Sequence, residues 1–222
     1  MREIILDTET TGLSVKDGHR VVEIGCIELN DLIPTKKTFH TYLNPERKVS
    51  ESAFNVHGYS DEFLSDKKKF KEIANDFLEF IKDKKIIMHN AEFDMMHINN
   101  ELSLIGLNEI KKDQVIDTLE IARNKFPGSS LSLDALCKRY SIDNSKREKH
   151  SALIDCELLS KVYVNLLDQK EPLLNFSPPK KNNNSEIDKL NNYYAKKIVY
   201  ADENELKLHK SFLKKQLKKN YY

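Results

Sequence analysis

Cysteine is scarce in this 222-residue chain, and its spacing excludes the usual cysteine-based sites. The three cysteines, Cys26, Cys137 and Cys156, are odd in number, lie far apart and form no C-x-x-C pair. This pattern argues against a disulfide framework and against a zinc site. Small buried side chains in a reducing compartment are the interpretation that fits it.

Long apolar runs are also missing. No stretch approaches the roughly 20 apolar residues that a membrane-spanning helix needs, and Arg2, Glu3 and Asp7 interrupt the only apolar run near the N-terminus. The start of the chain therefore does not resemble a signal peptide. We expect a protein of the cytoplasm with no membrane partner.

An excess of one charge is absent from the chain as a whole, whose formal net charge is +1. The distribution is uneven, because residues 171–222 hold eleven Lys against six Asp or Glu, whereas residues 1–170 hold 25 basic against 29 acidic residues. The body of the protein thus lacks the strongly basic surface typical of proteins that grip nucleic acid alone.

The apolar residues that are present change period along the chain. Three strand-like segments come first and predict an antiparallel meander, after which helices alternate with short strands. The predicted strands are 3–9, 20–29, 37–43, 85–90 and 114–118, and the predicted helices are 69–82, 92–105, 118–125, 131–139 and 151–167. The order predicts a three-layer α/β domain with a mixed five-stranded sheet.

The pattern of packed elements stops near residue 170, which predicts three parts. Residues 1–170 form the globular domain, and the Pro-, Asn- and Lys-rich residues 171–195 form a flexible linker. Residues 196–222 form a short C-terminal segment. Asp202 and Glu205 in that segment predict a capping box at the start of an amphipathic helix.

Two carboxylates end the first strand. Asp7 and Glu9 share one face of the strand, about 7 Å apart. Like charges held this way repel each other unless a cation lies between them, which favours a divalent metal. Acidic residues at strand ends also serve as turn or cap residues, so the pair alone leaves both interpretations open.

Further candidates follow later strands. Asp94 lies one turn into the helix after the fourth strand, at the sheet edge where ligands collect, although an acid there also complements the helix dipole. His150 precedes Asp155 by five residues, which on one helix would leave the side chains about 140° apart. Both serve one site only if His150 lies on the loop before a helix capped by Ser151. A histidine in that place suits a general base, or is a surface residue.

Other polar residues near these positions have structural interpretations. His89 and Asn90 suit loop hydrogen bonding, and Asp117 and Asp134 suit helix caps.

Three motifs, "LDTETTGL", "HNAEFD" and "HSALIDCELL", resemble the DEDD exonucleases of the DnaQ-like, ribonuclease-H-like superfamily, in the subgroup with a histidine base. The resemblance spans residues 2–167 and implies a ribonuclease-H-like fold and 3′→5′ hydrolysis of nucleic acid. It implies that two ions, Mg²⁺ or Mn²⁺, are bound by Asp7, Glu9 and Asp155, and by Asp94 directly or through water. His150 is implied to be the general base.

The same resemblance implies substrate contacts by Asp7, Glu9 and Asp155, and by four further residues. The backbone amides of Thr11 and Gly12 are implied to lie near the terminal nucleotide, and His57 to contact the substrate or else to pack in its loop. At Ser52 related proteins often carry a Glu, so this contact departs from the family pattern, and neighbouring Glu51 is a candidate to replace it.

The tail points to the members that proofread for a bacterial replicative polymerase. Residues 196–222 resemble their polymerase-binding end, which implies the catalytic (alpha) subunit of DNA polymerase III as a partner and a mispaired DNA 3′ end as the substrate. A small accessory subunit is a further possible partner. Residues 169–176, "QKEPLLNF", resemble a sliding-clamp peptide, or fold back on the body.

Two alternatives stay open. An RNA-trimming 3′→5′ exoribonuclease shares these motifs, but one working alone needs its own basic surface, which the body lacks. A non-catalytic polymerase adaptor would be marked by loss of a metal ligand, and all five catalytic positions are filled.

Overall fold

The protein is described by a computed structural model that covers residues 2–145, 147, 149–168 and 201–216, with side chains of the last segment described up to residue 213. The chain divides into two units, Met1–Leu174 and Asn175–Tyr222. The predicted linker and the possible clamp peptide at 169–176 lie outside the described residues.

The first unit contains the mixed five-stranded sheet that the sequence predicts. Its order is β3-β2-β1-β4-β5, with β1 antiparallel to β2, β2 antiparallel to β3, and β4 parallel to both β1 and β5. The strands are β1 (Arg2–Thr10), β2 (Val21–Asn30), β3 (Ile33–Tyr42), β4 (Lys85–Met88) and β5 (Val115–Asp117).

Helices cover both faces of this sheet, because the central strands are apolar on both sides. Ile4 and Leu6 belong to one buried cluster and Ile5 to the other, as the alternation of strand side chains requires. The helices are α1 (Glu51–His57), α2 (Asp61–Ser65), α3 (Phe70–Ile81), α4 (Ala91–Leu104), α5 (Thr118–Lys125), α6 (Leu133–Arg139), α7 (Ala152–Leu166) and, in the second unit, α8 (Glu203–Gln216). The cluster of Ile4 includes residues of α3 and α4, and the cluster of Ile5 includes residues of α5, α6 and α7. The predicted three layers are therefore confirmed.

Two helices, α1 and α2, were not predicted from the sequence. They span seven and five residues, too few to show a helical period. Their local signal is the serine before each: the Ser50 hydroxyl accepts from the amide of Ala53, and the Ser60 hydroxyl from the amide of Phe63.

The predicted caps have mixed outcomes. Asp117 caps α5 by accepting from the amide of Leu119, as expected. The prediction for Asp134 is wrong, because Ser132 caps α6 and the Asp134 carboxylate instead accepts from side chains of the segment before α7. In α8 the reciprocal bonds between Asp202 and Glu205 confirm the capping box.

Helix α7 lies unusually close to the sheet. A Cβ atom placed on Gly25 of β2 would lie 2.5 Å from the carbonyl carbon of Ala152 and 2.6 Å from the amide nitrogen of Leu153. Only glycine permits this approach, and it brings the first turn of α7 against the sheet beside the end of β1. Within the described part of the chain, every helix is too short or too polar to span a bilayer.

Candidate active site

All five residues predicted for catalysis line one cavity of about 970 Å³. The cavity lies where β1 and β4 end and α4 and α7 begin, since parallel strands bring their carboxyl ends to one edge of the sheet. The structure thus brings together Asp7, Glu9, Asp94, His150 and Asp155, while the role of each stays a prediction.

The strand pair Asp7 and Glu9 carries charges that the fold disfavours. Desolvation raises the pKa of Asp7 well above its usual value, and the charges of Asp94, Asp155 and Glu9 add to the rise. Burial is also the main cause that raises the pKa of Glu9 to about 8, with Asp155 the next contributor. Carboxylates held in this way are stabilised by a bound cation.

Asp94 reaches the same cavity from the opposite face of the sheet. Its Oδ1 oxygen accepts from the Thr8 amide at 3.0 Å and from the Thr8 hydroxyl at 2.6 Å. Burial raises the pKa of Asp94 to about 7, although the bonds from Thr8 act to lower it. Both bonds use Oδ1, so Oδ2 is not committed to Thr8. Thr8 was not predicted from the sequence as part of the site, and its position between Asp7 and Glu9 was the available signal.

His150 and Asp155 have the arrangement that the five-residue spacing requires. His150 lies on the loop before α7, its amide donating to the carbonyl of Val56 at 3.2 Å, and Asp155 lies in the first turn of the helix. The His150 Nδ1 atom is 3.5 Å from Oδ2 of Asp155, and 45% of the histidine side chain is exposed. The prediction that His150 precedes the helix is confirmed.

The cap of α7 differs from the prediction. Ser151 occupies the N-cap position, but its hydroxyl donates to Oε1 of Glu23 at 3.0 Å instead of accepting from the helix. Oε2 of Glu23 accepts from the amide of Ala152 at 2.9 Å, so a carboxylate of β2 caps the helix.

Glu23 is fully buried and also joins two further elements to α7. It bonds with Nε2 of His40 at 2.7 Å and accepts from the Tyr59 hydroxyl at 2.8 Å. This residue was not predicted from the sequence, where its signal was an acid inside the apolar strand "VVEIGCIEL".

Arg147 is a third residue of the site, after Thr8 and Glu23, that was not predicted from the sequence. Its guanidinium binds both oxygens of Asp155, with Nε at 2.5 Å from Oδ1 and Nη2 at 2.7 Å from Oδ2. Burial alone would raise the pKa of Asp155, but the neighbouring His150 and the hydrogen bonds from Arg147 outweigh burial and hold it below its usual value.

The predicted substrate contacts line the cavity or lie beside it. Gly12, Ser52 and His57 are part of the lining. The Thr11 amide donates to the carbonyl of Arg20 at 2.9 Å, so this group is already used within the protein. Glu51, the candidate to replace the contact at Ser52, is exposed in the first turn of α1.

The two ring nitrogens of His57 both have protein partners. Nδ1 accepts from the Tyr59 amide at 3.0 Å, so Nε2 carries the proton and faces the carbonyl of Thr10 at 3.2 Å. Burial lowers the pKa of His57 and favours this neutral form. His89 bonds with Thr118 and with the carbonyl of Leu131, as a loop histidine is expected to do.

The residues present fit a divalent metal. Glu9, His150 and Asp155 each offer one ligand atom, and these atoms lie within 4.8 Å of one another. Carboxylate oxygens are the ligands that Mg²⁺ and Mn²⁺ prefer, and Asp7 and Asp94 add two more beside them.

Comparisons with known proteins agree with this geometry. Residues 4–163 match the exonuclease family model called RNase_T. The chain is 48% identical over 224 residues to DNA polymerase III subunit epsilon of Rickettsia felis, covering 98% of each chain. It is 45% identical over 170 residues to the Escherichia coli K12 subunit epsilon, covering 73% of this chain and 70% of that protein.

Solved structures share the fold at low identity. The nuclease domain of 3′hExo, a DEDDh family member bound to rAMP, is 18% identical with a TM-score of 0.66, covering 76% of this chain and 92% of that one. A zinc-ion-bound form of E. coli exonuclease I with single-stranded DNA is 16% identical with a TM-score of 0.65, covering 77% and 41%. The latter shows that a divalent metal is bound by a structural neighbour. The matched family model and the near full-length relatives establish that this chain belongs to the exonuclease family, alongside the epsilon subunits of DNA polymerase III.

Proposed function

We propose that this chain is the 3′→5′ proofreading exonuclease subunit of a replicative DNA polymerase and removes mispaired 3′-terminal nucleotides. The observation that carries the proposal is the convergence of Asp7, Glu9, Asp94 and Asp155 in one cavity with His150 beside them. The names of the relatives support the polymerase context. We place its work in the cytoplasm, where the three buried free thiols stay reduced.

The proposed cofactor is a pair of divalent cations, Mg²⁺ or Mn²⁺. Asp7, Glu9 and Asp155 would hold them directly, and Asp94 directly or through water. Such ions supply charge stabilisation at the phosphate and a more acidic water. The raised pKa values of Asp7 and Glu9 support this assignment, because buried like charges need cations.

His150 is the proposed general base. General base catalysis typically raises a rate by about 10²–10⁴. Its Nδ1 atom accepts a hydrogen bond from Arg147, so this nitrogen carries a lone pair and Nε2 carries the proton. The proton of the attacking water would move to Nδ1. Since 45% of the side chain is exposed, water and a DNA end can reach the ring.

The C-terminal segment, residues 196–222, is proposed to bind the catalytic (alpha) subunit of the polymerase. In α8 the apolar side chains of Leu206, Leu208 and Phe212 are 48%, 69% and 57% exposed. A partner that already holds the primer would provide the nucleic-acid grip that the net acidic body lacks, because tethering raises the effective concentration. Contacts with a small accessory subunit and, through 169–176, with a sliding clamp stay predictions.

The RNA-trimming alternative would use the same chemistry, and one structural neighbour with this fold is bound to the ribonucleotide rAMP. The deciding assay uses a primer with a 3′-terminal mismatch, made of DNA or of RNA, with and without Mg²⁺. We expect Mg²⁺-dependent release of the mispaired deoxynucleotide. Preferred cleavage of the RNA primer would replace proofreading with RNA trimming.

The two-metal interpretation has its own test. Asp7→Ala with Glu9→Ala should abolish nucleotide release while the protein still folds, because the change removes two repelling buried charges. A matched control is Asp76→Ala with Glu79→Ala, which removes two exposed carboxylates from α3. Activity that survives in the Asp7 and Glu9 variant would disprove the metal site.

A further inference from the structure

One guanidinium joins three side chains at the wall of the cavity. Besides its two bonds to Asp155, Arg147 donates from Nη2 to Nδ1 of His150 at 2.8 Å and from Nη1 to Oδ2 of Asp134 at 2.8 Å. The Arg147 side chain is only 7% exposed. All three nitrogens of the guanidinium therefore have partners, and two of those partners are residues assigned to catalysis.

These bonds occupy the atoms that the proposed reaction needs. Both carboxylate oxygens of Asp155 are bound, and a divalent cation requires at least one of them. Nδ1 of His150 is the only ring nitrogen with a lone pair in this arrangement, and it is engaged as well. An arginine side chain stays charged at any physiological pH, so it cannot release these atoms by losing a proton.

We propose that Arg147 is an internal cation that competes with divalent metal for Asp155, and that metal binding displaces it from Asp155 and His150 together. The inference rests on the metal site proposed above. It makes metal uptake an exchange of cations: one event frees the carboxylate that binds metal and the imidazole nitrogen that takes the proton. Without metal, Arg147 balances the charge of Asp155 and blocks the base.

The position of Arg147 in the chain suits such an exchange. It lies on the irregular segment between α6 and α7, so its side chain can leave Asp155 without unwinding a helix. Asp134 can keep its bond to Arg147 after the guanidinium leaves Asp155, because the Asp134 carboxylate is 54% exposed and binds a different nitrogen of the guanidinium.

The first test measures Mn²⁺ affinity by calorimetry, which does not depend on catalysis. Arg147→Gln should bind Mn²⁺ roughly tenfold more tightly than the unchanged protein, because a unit charge competing at the same carboxylate is removed. Arg147→Lys should lie between the two, since one ammonium cannot bridge Asp155 and His150 as the planar guanidinium does. Arg123→Gln removes an equal charge from the same cavity without touching Asp155, and should change the affinity less.

An unchanged or weaker Mn²⁺ affinity in Arg147→Gln would overturn the proposal, because a competing cation can only weaken metal binding. If that variant does not fold, the Arg147→Lys comparison gives the same decision. The result is separate from the proposed function. Tighter Mn²⁺ binding by Arg147→Gln, together with an unchanged protein that releases no nucleotide, would support the exchange and refute the function. Unaltered Mn²⁺ affinity in Arg147→Gln, together with an active unchanged protein, would refute the exchange and support the function.

The second test observes the guanidinium itself by nitrogen NMR of the unchanged protein, with the Arg147 signal assigned by its loss in Arg147→Lys. In chelator, the Nε–H group bound to Asp155 should exchange slowly with water. Saturating Mg²⁺ should abolish that protection. A signal that stays protected and unshifted with Mg²⁺ would show that Arg147 keeps its bonds, and the proposal would be wrong.

Discussion

The buried carboxylates of this site differ in the direction in which the protein shifts their pKa values. Glu9 and Asp94 have pKa values raised to about 8 and about 7, mainly by burial. Asp155, also buried, has a lowered pKa because His150 lies beside it and Arg147 binds both of its oxygens. The difference is one of partners, not of residue type, and it has a consequence for stability.

In chelator, the free energy of unfolding should fall as pH rises from about 7 to about 8. Glu9 and Asp94 bind more protons in the folded than in the unfolded state across this range, so stability declines with pH. Asp155 has the opposite sign but acts only below about pH 4, and the lowered pKa values of His57 and His89 also have the opposite sign but act below about 6.5, the usual pKa of histidine. Urea denaturation at several pH values, with and without Mg²⁺, checks this.

Mg²⁺ should flatten that pH profile, because a bound cation favours the ionised carboxylates. Glu9→Gln is the control, since it removes one of the titrating groups and should reduce the slope in chelator. A stability that rises between pH 7 and 8 in chelator would contradict the assigned direction of these shifts.

His150 should be needed for the chemical step but not for metal or DNA binding. His150→Ala should lower kcat by about 10² or more, because the water loses its proton acceptor. Its affinity for Mn²⁺ and for single-stranded DNA should change little, and calorimetry and filter binding would measure these. A collapse of Mn²⁺ affinity together with activity would instead make His150 a metal ligand, which its closeness to Glu9 and Asp155 also permits.

Among the elements, α7 places the last carboxylate and the base, and its position depends on two residues of β2. Glu23 holds the start of the helix through Ser151 and the amide of Ala152. Gly25 lets the same turn lie against the sheet. The geometry of His150 and Asp155 is therefore set by the contact between α7 and β2.

Gly25→Ala tests this contact. The new Cβ would meet backbone atoms of Ala152 and Leu153 at 2.5–2.7 Å, which cannot move aside as a flexible side chain can. The helix must shift, at a cost of roughly 1–3 kcal/mol, and kcat should fall with it. Stability is measured by urea denaturation and kcat by release of nucleotide from single-stranded DNA.

Gly106→Ala is the matched control for the helix shift. Among the described residues, chain neighbours aside, no atom lies within 4 Å of its added Cβ, but its φ of +72° makes the substitution strained. It should therefore lower stability and leave kcat unchanged. If Gly25→Ala behaves like Gly106→Ala, the close approach of α7 does not position the site.

For the whole molecule, the two units should separate catalysis from polymerase binding. Every proposed catalytic group lies in the first unit, so deletion of residues 180–222 should leave hydrolysis of single-stranded DNA near normal. The same deletion should abolish co-purification with the polymerase catalytic subunit, because it removes α8. Nuclease assays and pull-downs measure the two effects.

A point variant checks that α8 itself is responsible. Leu208→Glu with Phe212→Glu places charge on its exposed apolar side chains and should weaken polymerase binding while hydrolysis is kept. Full polymerase binding by the deletion would place the docking surface on the nuclease body. A folded but inactive deletion would make the tail part of the active site.

Local patterns in the sequence were sufficient for the sheet and most helices, whereas the resemblance to the DEDD exonucleases was needed to select the five candidate residues of the cavity. Strand alternation separates Ile4 from Ile5, the five-residue spacing places His150 before α7, and the capping box marks the start of α8. Each of these depends on residues a few positions apart, whose relation the backbone geometry dictates.

The partners of the site were decided only by the tertiary structure. Glu23 caps a helix that begins 129 residues later, and Thr8 binds a carboxylate 86 residues away. Arg147 lies near Asp155 in sequence, but on an irregular segment whose direction no period reveals. Hydrogen bonds of this kind depend on the relative positions that separate elements take when both faces of the sheet are buried. A linear pattern of residues does not specify those positions.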